Sequence, residues 1–107
     1  MSDAERNKQV IRDLLHAADE GDLAAVERFY APDYVDHDPG PARRDECSHL
    51  RGTLRAFREF QAGFPDIRHT ILDLVAEGDR VAVRISAVGT HTGEVAGFAP
   101  TGESVET

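Results

Sequence analysis

The sequence predicts an α+β domain in which helices come first and an antiparallel sheet follows. Three observations carry that expectation. Apolar residues recur at helical spacing near the N-terminus, in Val10, Ile11, Leu14, Leu15 and Ala18. Further along, Val81, Val83 and Ile85 alternate with Ala82, Arg84 and Ser86, directly after the turn Glu77-Gly78-Asp79-Arg80. Strands and helices do not alternate along the chain, so a meander covered on one face by the preceding helices is expected rather than a parallel sheet.

The first helix is expected over 3–20, because Ser2 and Glu5 form a capping box and Gly21 closes the apolar run. Asp22 caps a second helix over 23–31, with Leu23, Val26, Phe29 and Tyr30 on one side and Pro32 ending it. The short Gly-Asp joint makes the pair a helical hairpin. Tyr34-Val35-Asp36-His37-Asp38 reads as a short strand stopped by Pro39-Gly40-Pro41, and 39–52 lacks a clean period and reads as a long loop. Thr53 caps a third helix over 53–62 with Leu54, Phe57 and Phe60 on its stripe. Strands follow over 67–77 and 80–91; the adjacent Leu72-Asp73-Leu74 breaks the alternation of the first and predicts a bulge. The phase of Val81, Val83 and Ile85 runs on through Ala87 and Gly89 to His91, which therefore ends an apolar row. A Gly-Phe-Ala-Pro-Thr-Gly loop over 97–102 leads to a last strand fragment, Ser104 to Thr107, expected to be an unpaired edge of a thin sheet.

With 107 residues the chain is expected to form one domain, 1–107. A net charge of −8 argues against nucleic acid and anionic membrane as partners, whose phosphates the protein's field would repel. No apolar run approaches the ~18 residues that span a bilayer. The N-terminus shows no basic segment followed by an apolar stretch, so a secretory signal is not expected and the cytoplasm is the default location. The lone Cys47 cannot form an internal disulfide.

The order of the helix hairpin, Tyr34-Val35-Asp36-His37, Phe64-Pro65-Asp66, Glu77-Gly78-Asp79-Arg80-Val81, Gly89-Thr90-His91-Thr92-Gly93-Glu94 and Gly97-Phe98-Ala99-Pro100-Thr101-Gly102 resembles the SnoaL-like polyketide cyclase (ester cyclase) family. That family lies within the nuclear transport factor 2-like superfamily. The resemblance implies a cone-shaped curved antiparallel sheet around a pocket, closed by the N-terminal helices. It implies an intramolecular aldol condensation without metal or organic cofactor, on a small apolar carbonyl ligand, and a homodimer is expected because a thin sheet with an open edge leaves apolar surface and ladder groups to satisfy, in agreement with the resemblance. The family's acid/base aspartate lies on a strand after the Pro-Thr-Gly loop, and the sequence ends before it. The sheet is accordingly expected to be incomplete relative to the family.

The resemblance singles out two histidines as catalytic candidates: His37, on the first strand, and His91, in the Gly-Thr-His motif. Each also has a plain structural reading, as a strand-end or turn-fixing hydrogen-bonding group. Tyr34, Phe57, Arg84 and Phe98 are candidates for binding substrate. Phe57 belongs to a helical stripe that is first a core stripe, and Phe98 sits on the glycine-flanked loop. Arg84 either binds an oxyanion or, if its face lies outside the sheet, is a surface or dimer residue. His37, Arg84, His91 and Phe98 are expected around one cavity with His91 at its mouth, although strand alternation sets Arg84 opposite His91 unless a bulge at 86–89 resets the phase. Glu94 reads as a solvated turn residue, and Asp36, His37, Asp38, His91 and Glu94 match no compact metal signature. The competing function is a non-catalytic binding or interaction module of the same fold.

Overall fold

The structure is a computed structural model and describes residues 2–35, 37, 49–94 and 99–106. The element order is α1 (Asp3–Asp19), α2 (Leu23–Arg28), α3 (Leu50–Gly63), β1 (Arg68–Glu77), β2 (Arg80–Thr90) and β3 (Ser104–Glu106). Helix α1 starts as the capping signal predicts, with the Ser2 hydroxyl accepting from the Glu5 N–H at 3.2 Å. It ends at Asp19 with Glu20 as its C-cap, and Gly21 beyond them turns the chain with a φ of 73°, in the left-handed region that favours glycine. Asp22 then accepts from the Ala25 N–H at 3.1 Å and opens α2. This second helix stops at Arg28, shorter than expected. Ala31 precedes Pro32, so its α conformation is disfavoured, and the chain unwinds through a turn at Phe29 and Tyr30.

Helix α3 begins three residues before the expected Thr53. Its N-terminal residue, His49, gives no side-chain cap; its backbone is extended and pairs with Val35 in an isolated antiparallel bridge. A backbone pairing, rather than a capping hydroxyl, therefore sets where α3 starts, and Thr53 lies buried in its first turn. The strand expected over 34–38 reduces to that one bridge at Val35. Residues 36 and 38–48, including Cys47, fall outside the described residues.

The core sits where the helical hairpin meets α3. Ala17 and Ala18 of α1 are buried against Val26 of α2, with Leu14, Phe29, Tyr30, Leu54 and Phe57 packed around them. Val26 is fully buried; its side chain stabilises the hairpin by about 1.5–3 kcal/mol. The small alanines let α2 approach α1 closely.

The sheet has the order β1-β2-β3, antiparallel throughout. Its register contains the expected bulge: Ile71 pairs with Ile85 and Asp73 with Arg84, leaving Leu72 without an opposite residue. The extra residue keeps Ile71 and Leu74 on the same face, which strict alternation would not allow. Directly paired residues share a face, so His69, Ile71, Leu74 and Ala76 lie with Ala87, Ile85, Val83 and Val81 on the side that α1 packs against. The other side carries Thr70, Asp73 and Val75 with Ser86, Arg84 and Ala82. Strand β3 pairs with β2 through Val88, Gly89 and Thr90 opposite Glu106, Val105 and Ser104, and its other side is the open edge of the sheet among the described residues, as expected. Among the described residues, no helix is long and apolar enough to cross a membrane.

Candidate functional site

Strand β2 delivers His91 to the end of the sheet, and four backbone contacts fix the segment there. The His91 N–H donates to the Glu103 carbonyl at 2.9 Å, and the His91 carbonyl accepts from the Gly102 N–H at 2.7 Å. The Thr92 and Gly93 N–H groups both donate to the Gly63 carbonyl at 3.1 Å. These last bonds satisfy a carbonyl at the C-terminus of α3, which has no partner inside its own helix. They also demand a close approach: a Cβ on Gly93 would lie 1.9 Å from the Ala62 carbonyl oxygen. Gly89 serves a similar purpose four residues earlier, where a Cβ would press on Phe64 at 3.1 Å.

The side chain of His91 is only 7% exposed. Its ring stacks on Phe64 with centroids 5.3 Å apart, and Phe64 stacks on Phe60 at 6.4 Å, so the imidazole ends a short aromatic slab laid along the end of α3. Nδ1 lies 3.1 Å from the Thr101 hydroxyl, which also accepts from the Glu103 N–H at 3.3 Å. Nε2 is buried and has no partner among the described residues. A buried polar nitrogen without a partner is costly, commonly by about 1–3 kcal/mol, and such an atom is where a ligand or a bound water is accommodated. His91 is thus an interior group and not a residue of an open mouth.

The other sequence candidates lie apart from it. His37 is exposed and bonds to no other described residue. Tyr34 and Phe57 both meet Tyr30, edge-on at 4.6 Å and 6.5 Å, and belong to the aromatic packing of the helical layer. Arg84 is on the far face of the sheet. The bulge that would have reset its phase falls in β1 at Leu72, not in β2, and Arg84 instead meets its cross-strand partner Asp73 at 2.7 and 2.6 Å. Phe98 lies outside the described residues. Glu94 is exposed, and no cluster of three metal-ligating side chains occurs among the described residues.

Two arrangements were not foreseen from the sequence. The Thr101 hydroxyl reaches His91 across ten positions, a pairing for which the only sequence signal was the shared motif loop. Asp19, at the end of α1, accepts from the His69 backbone N–H at 3.0 Å and bonds the same residue's Nδ1 through its other oxygen, both side chains being largely covered. Arg68 adds a bond to the Asp19 carbonyl at 2.9 Å. No local pattern links positions 50 apart.

Helices followed by a curved antiparallel sheet define a class of small α+β domains, and several solved structures share that fold. AclR from Streptomyces galilaeus, a proposed hydroxylase, matches 96% of this chain at 27% identity and a TM-score of 0.82. IdmH from Streptomyces antibioticus, a proposed polyketide cyclase, matches 94% at 34% identity and a TM-score of 0.69. TsrD from Streptomyces laurentii matches 92% at 28% identity and a TM-score of 0.75. The chain spans 62%, 76% and 69% of these three proteins respectively. A sequence profile of the SnoaL-like polyketide cyclase family matches residues 8–107, and the chain belongs to that family. No curated protein gives a significant sequence match.

Proposed function

We propose that this domain binds a small apolar carbonyl compound at His91 and performs cofactor-independent acid/base chemistry of the cyclase type on it. The observation that carries the reading is the buried, unpartnered Nε2 at the end of the Phe60–Phe64–His91 slab. A flat apolar wall with one polar atom at its end suits a planar ligand bearing a single oxygen function. In an aldol closure a base removes a proton from the carbon beside a carbonyl, the resulting enolate attacks a second carbonyl, and the new alkoxide takes a proton. Negative charge passes to oxygen at each stage, and a fixed polar group beside that oxygen lowers the barrier. The kinship with a proposed cyclase and a proposed hydroxylase supports the ligand class more strongly than the individual step.

A second reading is favoured by one feature of the site. No carboxylate side chain bonds His91 among the described residues, so the domain as described holds a candidate ligand group without a neighbouring base. In that case it binds the same class of ligand without turning it over.

His91→Phe separates these readings from a purely structural role, because it keeps the ring stack and removes both nitrogens. Thermal-shift titration with a panel of aryl ketones and β-keto esters should show stabilisation of the wild type that the variant loses. Where turnover is present it should fall roughly 10²-fold in the variant, the usual scale for removing one oxyanion donor. Equal ligand response in the two proteins would remove His91 from the site. The resemblance further supports a homodimer, with the exposed Val75 and Val88 of the outer sheet face as apolar surface available to a second copy.

A further inference from the structure

An aldol closure needs a base, and the largely covered carboxylate that would orient an imidazole for that task stands beside His69, not His91. His69 gives its backbone N–H to one oxygen of Asp19 at 3.0 Å and holds its Nδ1 against the other. A carboxylate oxygen only accepts, so in the neutral ring Nδ1 carries the proton and Nε2 keeps its lone pair. That nitrogen bonds to no described residue. Nor is it sealed, since among the described residues the buried side-chain atoms without a partner belong to Thr53, Gln61 and His91. Apolar surface adjoins it: His69 shares the α1 side of the sheet with Ile71, with Ile85 at 37% exposure and with Val83 at 40%. An oriented ring with a free lone pair beside open apolar surface is what proton abstraction from an apolar ligand requires.

His69 pairs with Ala87, and Ala87, Gly89 and His91 follow one another on that face, Gly89 and His91 both against Phe64. Four residues of strand set the backbones of Ala87 and His91 about 13 Å apart. We propose that His69 is the base of this site and Asp19 its positioning residue, and that the substrate is a planar ketone whose acidic carbon lies across a conjugated ring from its oxygen. The inference rests on the reading that this oxygen meets His91. Nε2 of His69 takes the proton from the acidic carbon, and the C–H electron pair passes through the ring to the oxygen at the far end. The same carbon then bonds to the second carbonyl carbon, whose π pair becomes an alkoxide close to His69. The imidazolium, its charge balanced by Asp19, returns the proton to that alkoxide, and the pair ends as it began.

The test uses the full 107-residue chain and anthrone, whose acidic C10 lies across the central ring from its oxygen. Deuterium uptake at C10 is followed by NMR in D₂O under nitrogen, and thermal shift reports binding separately. Wild type should accelerate uptake over buffer. His69→Asn keeps a donor for Asp19 in place of Nδ1–H but has no atom at Nε2, and it should lose the acceleration while still binding. In Asp19→Asn the amide oxygen must face the His69 N–H, so the amide N–H faces Nδ1 and drives the ring proton to Nε2. Uptake should then fall roughly 10²-fold, the scale of one general base, with circular dichroism unchanged. Long-range proton–nitrogen spectra of ¹⁵N-labelled protein should show His69 change from the Nδ1–H to the Nε2–H tautomer in that variant. Should Asp19→Asn lose its fold, His69→Asn carries the test. Binding that His91→Phe abolishes, without acceleration by wild type, would overturn His69 as the base and leave the His91 reading standing. Acceleration that needs His69 but ignores His91→Phe would uphold the base and defeat the His91 reading. Equal uptake in Asp19→Asn and wild type would overturn the positioning role, and neither binding nor acceleration would overturn both readings.

Discussion

Asp66 accepts two hydrogen bonds from one residue, the Thr90 backbone N–H and the Thr90 hydroxyl, each at 2.8 Å. They lock the exit of α3 to the last position of β2, one residue before His91. Both favour the ionised carboxylate, and Thr90's backbone bond, followed by its hydroxyl, holds the Asp66 pKa below its ordinary value. A carboxyl whose pKa is depressed by folding stabilises the protein above its unfolded value near 4, and that contribution disappears as pH falls through the lower folded value. Asp66→Asn should therefore flatten the acid limb of stability: denaturant midpoints of variant and wild type should converge at low pH and separate above about pH 4. A difference that stays constant over that range would mean that the ionised form carries no special role. The contrast with Arg84 is instructive, since its ion pair with Asp73 is as short but largely exposed, and pairs of that kind contribute on the order of 0.5 kcal/mol.

At the scale of elements, the decisive junction is the end of α3 against the segment after β2. Gly93 has no positive φ; it is required by the distance to the Ala62 carbonyl, not by backbone conformation. Gly93→Ala should accordingly destabilise by about 1–3 kcal/mol or more, the range for overpacking against rigid backbone. Gly78→Ala should cost less: its φ of 58° strains an alanine, but no atom lies within 4 Å of the added methyl. Paired urea melts of the two variants check the order. Much of this element structure was legible beforehand. The capping residues Ser2 and Asp22, the hairpin turn, the Leu72 bulge and the row ending in His91 are all local signals, and local signals survive folding. What stayed hidden depends on contacts between distant segments. The start of α3 is set by the Val35–His49 bridge, and the surroundings of His91 by Phe64 and Thr101 arriving from either side. Family motifs pointed to His91 and to His37 alike, but only packing separates a buried imidazole from an exposed one.

For the whole molecule, the two faces of the sheet set its expected association. One is covered in part by α1, while the outer face exposes Val75 at 62% and Val88 at 45% beside charged neighbours. Leaving such residues in water forgoes about 25 cal/mol for each Å² of apolar surface that a second copy would cover. Light scattering should give a dimer mass at micromolar concentration, and Val75→Lys should shift it towards the monomer while leaving the circular dichroism unchanged. A monomer at every concentration would set the homodimer aside. The Asp19–His69 link bears on a different property, the order in which the chain assembles. It joins positions 50 apart, whereas β1 and β2 meet across a tight turn, and each doubling of a closed loop adds about 0.6 kcal/mol of entropy cost. The hairpin and the helix pair are both local units, so loop-closure entropy predicts that each forms before the Asp19–His69 link docks one on the other. A chain emerging helices first cannot make that link until residue 69, its partner 50 positions on, has also emerged.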